Sequence, residues 1–231
     1  MNLLSICIPT YEMGGKGKEM LKRNLDIFKI QTFKDFEVVI SDNSENDEIK
    51  DLCENDIYKT LNIKYFRSHR KGMAQNTNES IKHATGDIIK ILYMDDYFTN
   101  KNSIKKIKDN FRGNWMVTGC EHDDGERRFN SHYPSYNSKI YLGKNTIGSP
   151  SVLSFKNEDP LFFDENMTWL LDCDYYKRLY DKYGEPTILN DINVVIGTSK
   201  YQMTNILPYK TKIKELLYMI IKYKKELFFK T

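Results

Sequence analysis

Four short apolar runs alternate with three amphipathic stretches over the first hundred residues, and this alternation restricts the fold more than any other feature. The runs are Leu3–Ile8, closed by Pro9; Phe36–Ser41, ending at Asp42; Ile63–Phe66; and Ile88–Tyr93. Between them, Glu19–Phe28 places Met20, Leu21, Leu25 and Phe28 at helical spacing. Glu48–Tyr58 can form a second helix, and Gln75–Ala84 carries a helical pattern stopped by Thr85-Gly86. Strands alternating with helices imply crossover connections, hence an α/β fold with a mostly parallel sheet flanked by helices. Ligands of such sheets gather beyond the strand C-termini, here Pro9–Glu12, Asp42–Ser44 and Asp95-Asp96.

After a helical stretch at Lys101–Phe111 the pattern loosens. Trp115–Gly119 reads as a strand, His122–Ser138 as a polar excursion, and Ile147–Phe155 as a turn entering a strand. Thr168–Tyr183 is a strong helix ended by Gly184 and Pro186, and Ile192–Ile196 is the last strand.

Charge decides which partners are excluded. The net charge is +3, but residues 206–231 hold seven lysines and two glutamates, so the tail carries +5 and the remainder −2. A body of that sign lacks the clustered cations of a nucleic-acid binder. Apolar residues at 40% and charged residues at 29% describe an ordinary globular chain. Cys7, Cys53, Cys120 and Cys173 show no metal or redox spacing, which predicts reduced thiols and a cytoplasmic setting. The start MNLLSICIPTYE has no basic n-region, and nowhere do 18 apolar residues run uninterrupted, so neither a signal peptide nor a membrane span is expected.

The chemistry concentrates in IKILYMDDYF, Ile89–Phe98. An apolar strand that ends in Asp95 and Asp96 suits a hard divalent cation, which takes one or two protein carboxylates and completes its shell with phosphate oxygens and water. An acidic strand-to-loop turn is the plain alternative. Gly14-Gly15-Lys16-Gly17-Lys18 lacks the spacing of a P-loop and reads as a loop over the site. His69, His83, His122 and His132 show no ligand spacing.

The segments SICIPTYE, VVISDNS, NTNESIKHATGDIIKILYMDD, IGSPSVLSF and WLLDCDYYKRL, taken in this order, resemble the family 2 glycosyltransferases over about Leu3–Thr204. The resemblance implies a GT-A (Rossmann-like) fold and a nucleotide-sugar donor. Residues 1–100 would form the nucleotide-sugar half of a domain spanning 1–205, and 101–205 the acceptor half. It implies that Pro9, Thr10, Tyr11 and Glu12 line the nucleoside, with Tyr11 offering a stacking face. Asp42 would accept from the base or ribose; otherwise it caps the next helix. Arg67, Arg70 or Lys71 would neutralise the diphosphate, with Arg70 preferred beside the Gly72 turn. Asp95 and Asp96 would hold Mn²⁺ or Mg²⁺ and the donor. Tyr93 stands where the family's Asp-x-Asp-Asp pattern has its first aspartate, which puts the strength of that metal site in question. In Leu171-Asp172-Cys173-Asp174, Asp172 aligns with the family's catalytic base, and Leu171 replaces the usual preceding glutamate; otherwise Asp172 serves the helix dipole. Asp174 and Arg178, four apart, can pair. Where some GT-A enzymes place a late metal-binding histidine, this chain has Lys200, Tyr201 and Gln202.

These matches predict an inverting transfer to a saccharide or lipid-linked acceptor, in polysaccharide or glycolipid synthesis. A sugar-phosphate nucleotidyltransferase and a non-catalytic sugar-nucleotide binder are the rival readings. Residues 206–231 form the last segment, a basic amphipathic helix. Ile213, Leu216, Leu217, Ile220, Ile221, Leu227 and Phe228 fall on one arc, with Glu215, Lys222, Lys225 and Glu226 opposite. The arc would cover the body of the protein or make peripheral contact with the cytoplasmic face of a membrane through 210–231.

Overall fold

The computed structural model describes residues 3–198 and 203–224. The expected alternation is present. Strands β1 (Leu4–Thr10), β2 (Phe36–Asp42), β3 (Asn62–Arg67) and β4 (Ile88–Ile91) pair in parallel in the order β3-β2-β1-β4. Helices α1 (Gly17–Lys29), α2 (Glu48–Cys53) and α3 (Met73–Lys82) lie between them in sequence. Every residue of β1 and β2 is buried, which is why both read as near-continuous apolar runs rather than alternating ones. From β1 the sheet extends through β2 and β3 on one side and through β4 on the other. That reversal opens a crevice at the C-terminal ends of β1 and β4.

Beyond β4 the sheet is mixed. The second half supplies β5 (Tyr97–Phe98), β6 (Trp115–Asp123), β7 (Arg128–His132), β8 (Leu153–Lys156) and β9 (Thr187–Gly197), with α4 (Ser103–Asn110) and α5 (Leu171–Tyr183). The order continues β4-β8-β6-β9-β5, with β7 beside β6. Strand β8 is antiparallel to β4 and β6, whereas β9 runs parallel to β6 and antiparallel to β5.

Several boundaries depart from the sequence pattern for physical reasons. Strand β7 lies inside the polar excursion; four of its five residues are exposed, so no apolar run betrays it. Helix α2 ends at Cys53, and a separate short 3-10 turn follows at Asp56–Tyr58, capped by Asn55 accepting from the Ile57 amide. Strand β4 stops before Tyr93 because the Tyr93 amide donates to Ser151 Oγ at 2.8 Å. Helix α5 starts at Leu171 rather than Thr168, since the amides of Thr168, Trp169 and Leu170 bond the Glu215 carboxylate.

Two C-terminal helices follow, α6 (Met203–Ile206) and α7 (Tyr209–Lys222). Helix α7 packs on the body, but the apolar arc covers it only in part: of that arc, Leu216 is half-buried against the core. Met219 and Tyr223 are buried in the core and Glu215 is 4% exposed, while Ile213, Leu217 and Ile221 face outward at 44–64%. Polar partners draw the charged side toward the body as well: Glu215 takes three amides, and Lys222 meets Asp164 and Asp174, each at 2.6 Å. Leu227, Phe228, Lys225 and Glu226 of the expected arcs lie outside the described residues. The four cysteines are free thiols, as their spacing suggested.

Candidate active site

Strand β4 carries its chain into the crevice, where Tyr93, Asp95 and Asp96 line a cavity of about 600 Å³. Pro9, Tyr11 and Glu12 enter it from the end of β1, and Asp172 from the first turn of α5. The paired acids of the strand tip and the acid of the late helix thus meet in one space, although they are far apart in sequence.

Asp95 and Asp96 differ in their surroundings. Among the described residues, no other residue donates to the Asp95 carboxylate. Burial raises its pKa, and Arg23, which donates to the Asp95 carbonyl at 2.6 Å, partly offsets that rise. Asp96 is 2% exposed, and both of its oxygens are engaged, Oδ2 by Ser149 Oγ at 3.2 Å and Oδ1 by the Gly197 amide at 3.0 Å. Its pKa is also raised, by burial first and by the Asp95 charge second. Position 197 has no room for a side chain, because a Cβ there would lie 2.3 Å from the Asp95 carbonyl oxygen. Glycine therefore lets the end of β9 close against the acidic tip.

Beneath this tip lies Lys90, fully buried in β4, with its ammonium bonded to the Ser151 carbonyl. Burial pushes its pKa down to about 7, against the opposing pull of Asp96. Tyr93, the residue set against the first aspartate of the expected pattern, lines the cavity beside the two acids. Its buried hydroxyl, beside Thr77, makes no hydrogen bond of normal geometry.

Asp172 is held more firmly. Its Oδ2 accepts from Asn145 Nδ2 at 2.7 Å and its Oδ1 from the Cys173 amide at 2.7 Å. Burial raises its pKa to about 6, and those donors keep it from rising further. A carboxyl group in that range is mostly ionised at neutral pH yet more basic than an exposed aspartate, which suits general-base work. Asp174 and Arg178 pair at 2.7 Å, as their spacing suggested.

The other expected donor-binding residues divide. Thr10 and Asp42 are fully buried and do not line the cavity. Asp42 accepts from Tyr65 Oη at 2.7 Å, from the Ser44 amide at 2.9 Å and from Thr10 Oγ1 at 3.3 Å, so its oxygens are committed within the fold. The helix cap at α2 is Asp47, not Asp42. Arg70 is half exposed and turned to Glu165 and to Glu79, the latter at 3.5 Å, while its neighbour Lys71 lines the cavity. Asn43, inside the Asp42–Ser44 stretch expected at the ligand edge, lines it, and so does Asn76, which the pattern did not single out. The Ser149-Pro150-Ser151 turn braces Asp96 and Tyr93. Asn145 and Gly197 carried no sequence signal, since each acts through a contact formed only in three dimensions. Lys200, Tyr201 and Gln202 lie outside the described residues. Among the described residues, no cluster of three or more His, Cys, Asp or Glu could hold a metal ion unaided.

Comparison with known proteins follows the same lines. An uncharacterized glycosyltransferase of Rickettsia conorii is 37% identical over 98 residues, 41% of this chain and 15% of that protein. The GalNAc(5)-diNAcBac-PP-undecaprenol beta-1,3-glucosyltransferase of Campylobacter jejuni is 29% identical over 98 residues, 42% of this chain and 30% of that protein. The chain thus spans less than a third of the length of either relative. S. aureus TarS 1-349 in complex with UDP-GlcNAc superposes with a TM-score of 0.68 at 17% identity, covering 96% of this chain and 66% of that one. The mannosyltransferase PcManGT from Pyrobaculum calidifontis, in complex with GDP-Man and Mn²⁺, gives 0.62 at 16% identity, covering 97% and 64%. These likenesses bear out the expected GT-A fold. The model of glycosyl transferase family 2 matches residues 5–179, three-quarters of the sequence, and the chain belongs to that family.

Proposed function

We propose that the protein is an inverting glycosyltransferase that moves a sugar from a nucleoside-diphosphate donor to an acceptor hydroxyl. One observation carries the reading: Asp95 and Asp172 line the same cavity from different elements, in states suited to different tasks. Asp95 presents a carboxylate with no protein donor among the described residues, whereas Asp172 is oriented by Asn145 and has its pKa raised to about 6. In the transfer, the acceptor oxygen forms a bond to the anomeric carbon as the bond from that carbon to the donor diphosphate breaks. The acceptor proton passes to Asp172, and the electron pair leaves with the nucleoside diphosphate. Attack from the face opposite the leaving group inverts the anomeric centre. Holding donor and acceptor in one cavity supplies much of the acceleration.

The residues fit a divalent cation, Mn²⁺ or Mg²⁺. Asp95 is the carboxylate free to ligate it, while Asp96, with both oxygens engaged and its ionisation held back by burial, would set the position of Asp95. Such a cation, when bound, screens the donor diphosphate and stabilises the charge of the leaving group. Charge balance favours it: Glu12, Asp95 and Asp172 line a cavity that must also admit a diphosphate, against Lys71 on the lining. Tyr11, 40% exposed at the cavity, offers the nucleoside a stacking face, with Pro9 and Glu12 beside it. Lys71 is better placed than Arg70 to meet the diphosphate because it lines the cavity and Arg70 does not; each is paired with a glutamate, Lys71 with Glu45 at 2.9 Å and Arg70 with Glu165. The UDP-GlcNAc and GDP-Man complexes of the structural neighbours support the donor class.

A lipid-linked saccharide is the acceptor class we favour, in line with the undecaprenol-linked substrate in the name of the Campylobacter relative. The outward face of α7 supports contact with an anionic membrane surface. Tyr209, Ile213, Leu217 and Ile221 are exposed there, with Lys210, Lys214 and Lys224 also exposed along the helix. Each basic residue near such a surface contributes about 1 kcal/mol. No helix among the described residues is long and apolar enough to cross a membrane.

The deciding experiment follows product formation from UDP- and GDP-sugars with Mn²⁺ and an acceptor glycoside. Release of nucleoside diphosphate without pyrophosphate, lost in Asp172→Asn while diphosphate binding persists, is the expected result. Pyrophosphate release would establish nucleotidyl transfer, and silence with every donor would favour a binding protein.

A further inference from the structure

The buried carboxylate of Glu215 has no place in the transfer chemistry, yet it is bound more completely than any acid of the cavity. Three successive backbone amides converge on it: Thr168 on Oε1 at 2.9 Å, Trp169 on Oε2 at 2.7 Å and Leu170 on Oε2 at 2.9 Å. Consecutive N–H groups turned to one side form an anion-binding nest. Here the anion is supplied by the chain itself, from a helix some 45 residues further on.

What the nest carries gives the contact its meaning. Leu170 caps α5, whose first turn holds Asp172, and Trp169 and Asp172 both line the cavity. The held segment therefore presents the proposed base and a broad aromatic face to one side of the site. The donor side is built separately, from the ends of β1 and β4. Helix α7 is fixed by other contacts: Met219 is fully buried, Tyr223 Oη donates to Asp174 Oδ1 at 2.7 Å, and Tyr218 Oη donates to Asp164 at 3.0 Å.

We propose that Glu215 is a positioning residue for the acceptor half-site, setting the Trp169–Asp172 segment so that an acceptor sugar ring lies against Trp169 with its hydroxyl at Asp172. This rests on the reading of Asp172 as the base. Loss of the clamp lowers transfer to the acceptor and leaves the donor site intact, because no donor-side residue touches Glu215.

The test compares Glu215→Gln with Tyr223→Phe in the full chain. The first keeps the shape of the side chain but turns one acceptor oxygen into a donor facing an amide; the second loosens α7 without touching the nest. Three readouts are taken: UDP affinity with Mn²⁺ by calorimetry, kcat/KM for an octyl glycoside acceptor that supports wild-type transfer, and amide exchange at 168–170. For Glu215→Gln we expect unchanged UDP affinity, at least a tenfold loss in acceptor kcat/KM, and at least tenfold faster exchange at those amides. Tyr223→Phe should lower Tm while keeping acceptor kcat/KM within twofold of wild type. Equal acceptor losses in both variants, scaling with Tm, would reduce Glu215 to a stability contact and overturn the proposal; unchanged exchange at 168–170 would do so as well. If the wild type transfers no sugar, the proposed activity fails, and amide exchange alone still decides whether the clamp exists.

Discussion

Replacing Asn145 by alanine should move the acid limb of the pH–rate profile rather than merely lower the rate. Burial raises the Asp172 pKa to about 6, and the Asn145 amide, donating at 2.7 Å, favours the ionised form. A hydrogen bond to a charged group contributes about 1.5–3 kcal/mol. Its loss, at about 1.4 kcal/mol per pH unit, raises the pKa by about 1–2 units. The limb of kcat/KM, which reports the free enzyme, should shift from about 6 toward pH 7–8. At pH 7 the ionised fraction falls from about nine-tenths to between about one-half and one-tenth, and raising the pH restores it. Asn145 Oδ1 also accepts from the Ile147 and Gly148 amides, so the variant loosens its turn too. That second loss lowers the rate at every pH and does not move the limb. A pH series of nucleoside-diphosphate release separates the two effects. A limb still at about 6, with a uniform loss across the series, would refute the view that Asp172 ionisation controls the reaction and that Asn145 tunes it.

The same residues make further predictions. Asp172 has a folded pKa above its unfolded value, so its ionisation costs no stability below about pH 3.8 and costs increasingly as pH rises past that value and through about 6. Asp172→Asn should therefore stabilise the protein by up to about 3 kcal/mol at pH 7, with the gain fading below pH 4, as followed by denaturant titration. Asp95→Asn should raise Tm in chelator but abolish the further rise given by UDP with Mn²⁺; a ligand at a hundred times its Kd contributes about 2.7 kcal/mol in the wild type. Gly197→Ala places a Cβ 2.3 Å from the Asp95 carbonyl and should cost about 1–3 kcal/mol of stability while weakening UDP–Mn²⁺ binding in calorimetry. Replacing both Leu217 and Ile221 by glutamate should leave Tm within about 1 °C, because surface changes away from packed contacts have small effects. The same variant should lose flotation with anionic liposomes; equal flotation of wild type and variant would dissociate α7 from the membrane.

How legible each part was follows from where its determining contacts lie. The N-terminal half could be read because β1, β2 and β4 are buried and the helices between them carry local periodicity. Asp95, Asp96 and Asp172 could be read because strand tips and first helical turns are fixed by the elements that bear them. That Asp42 and Arg70 turn away from the cavity could not be read, because their orientation depends on Tyr65 and Glu165, distant in sequence by 23 and 95 residues. Strand β7 escaped because an exposed edge strand needs no apolar side chain, only the ladder it makes with β6.

Helix α7 shows where a periodicity argument stops. Its sequence marks one apolar arc and one charged arc, and a solvent boundary normally assigns the apolar arc to the core. Burying charge reverses that rule only when each charge finds a specific partner. Glu215 has its three amides and Lys222 its two aspartates, so the charged side can meet the body, with Met219, Tyr223 and the half-buried Leu216 packed on the core beside it. None of those partners is local: they sit in the lead-in to α5, in α5 itself and in the loop before it. The helix could have turned its apolar arc inward had stability alone been at issue, since well-packed apolar contacts often equal or exceed a buried ion pair. Instead it holds the Asp172 turn with one face and leaves Ile213, Leu217 and Ile221 exposed on the other. If both proposals hold, that arrangement joins the proposed base to the helix proposed to meet a membrane.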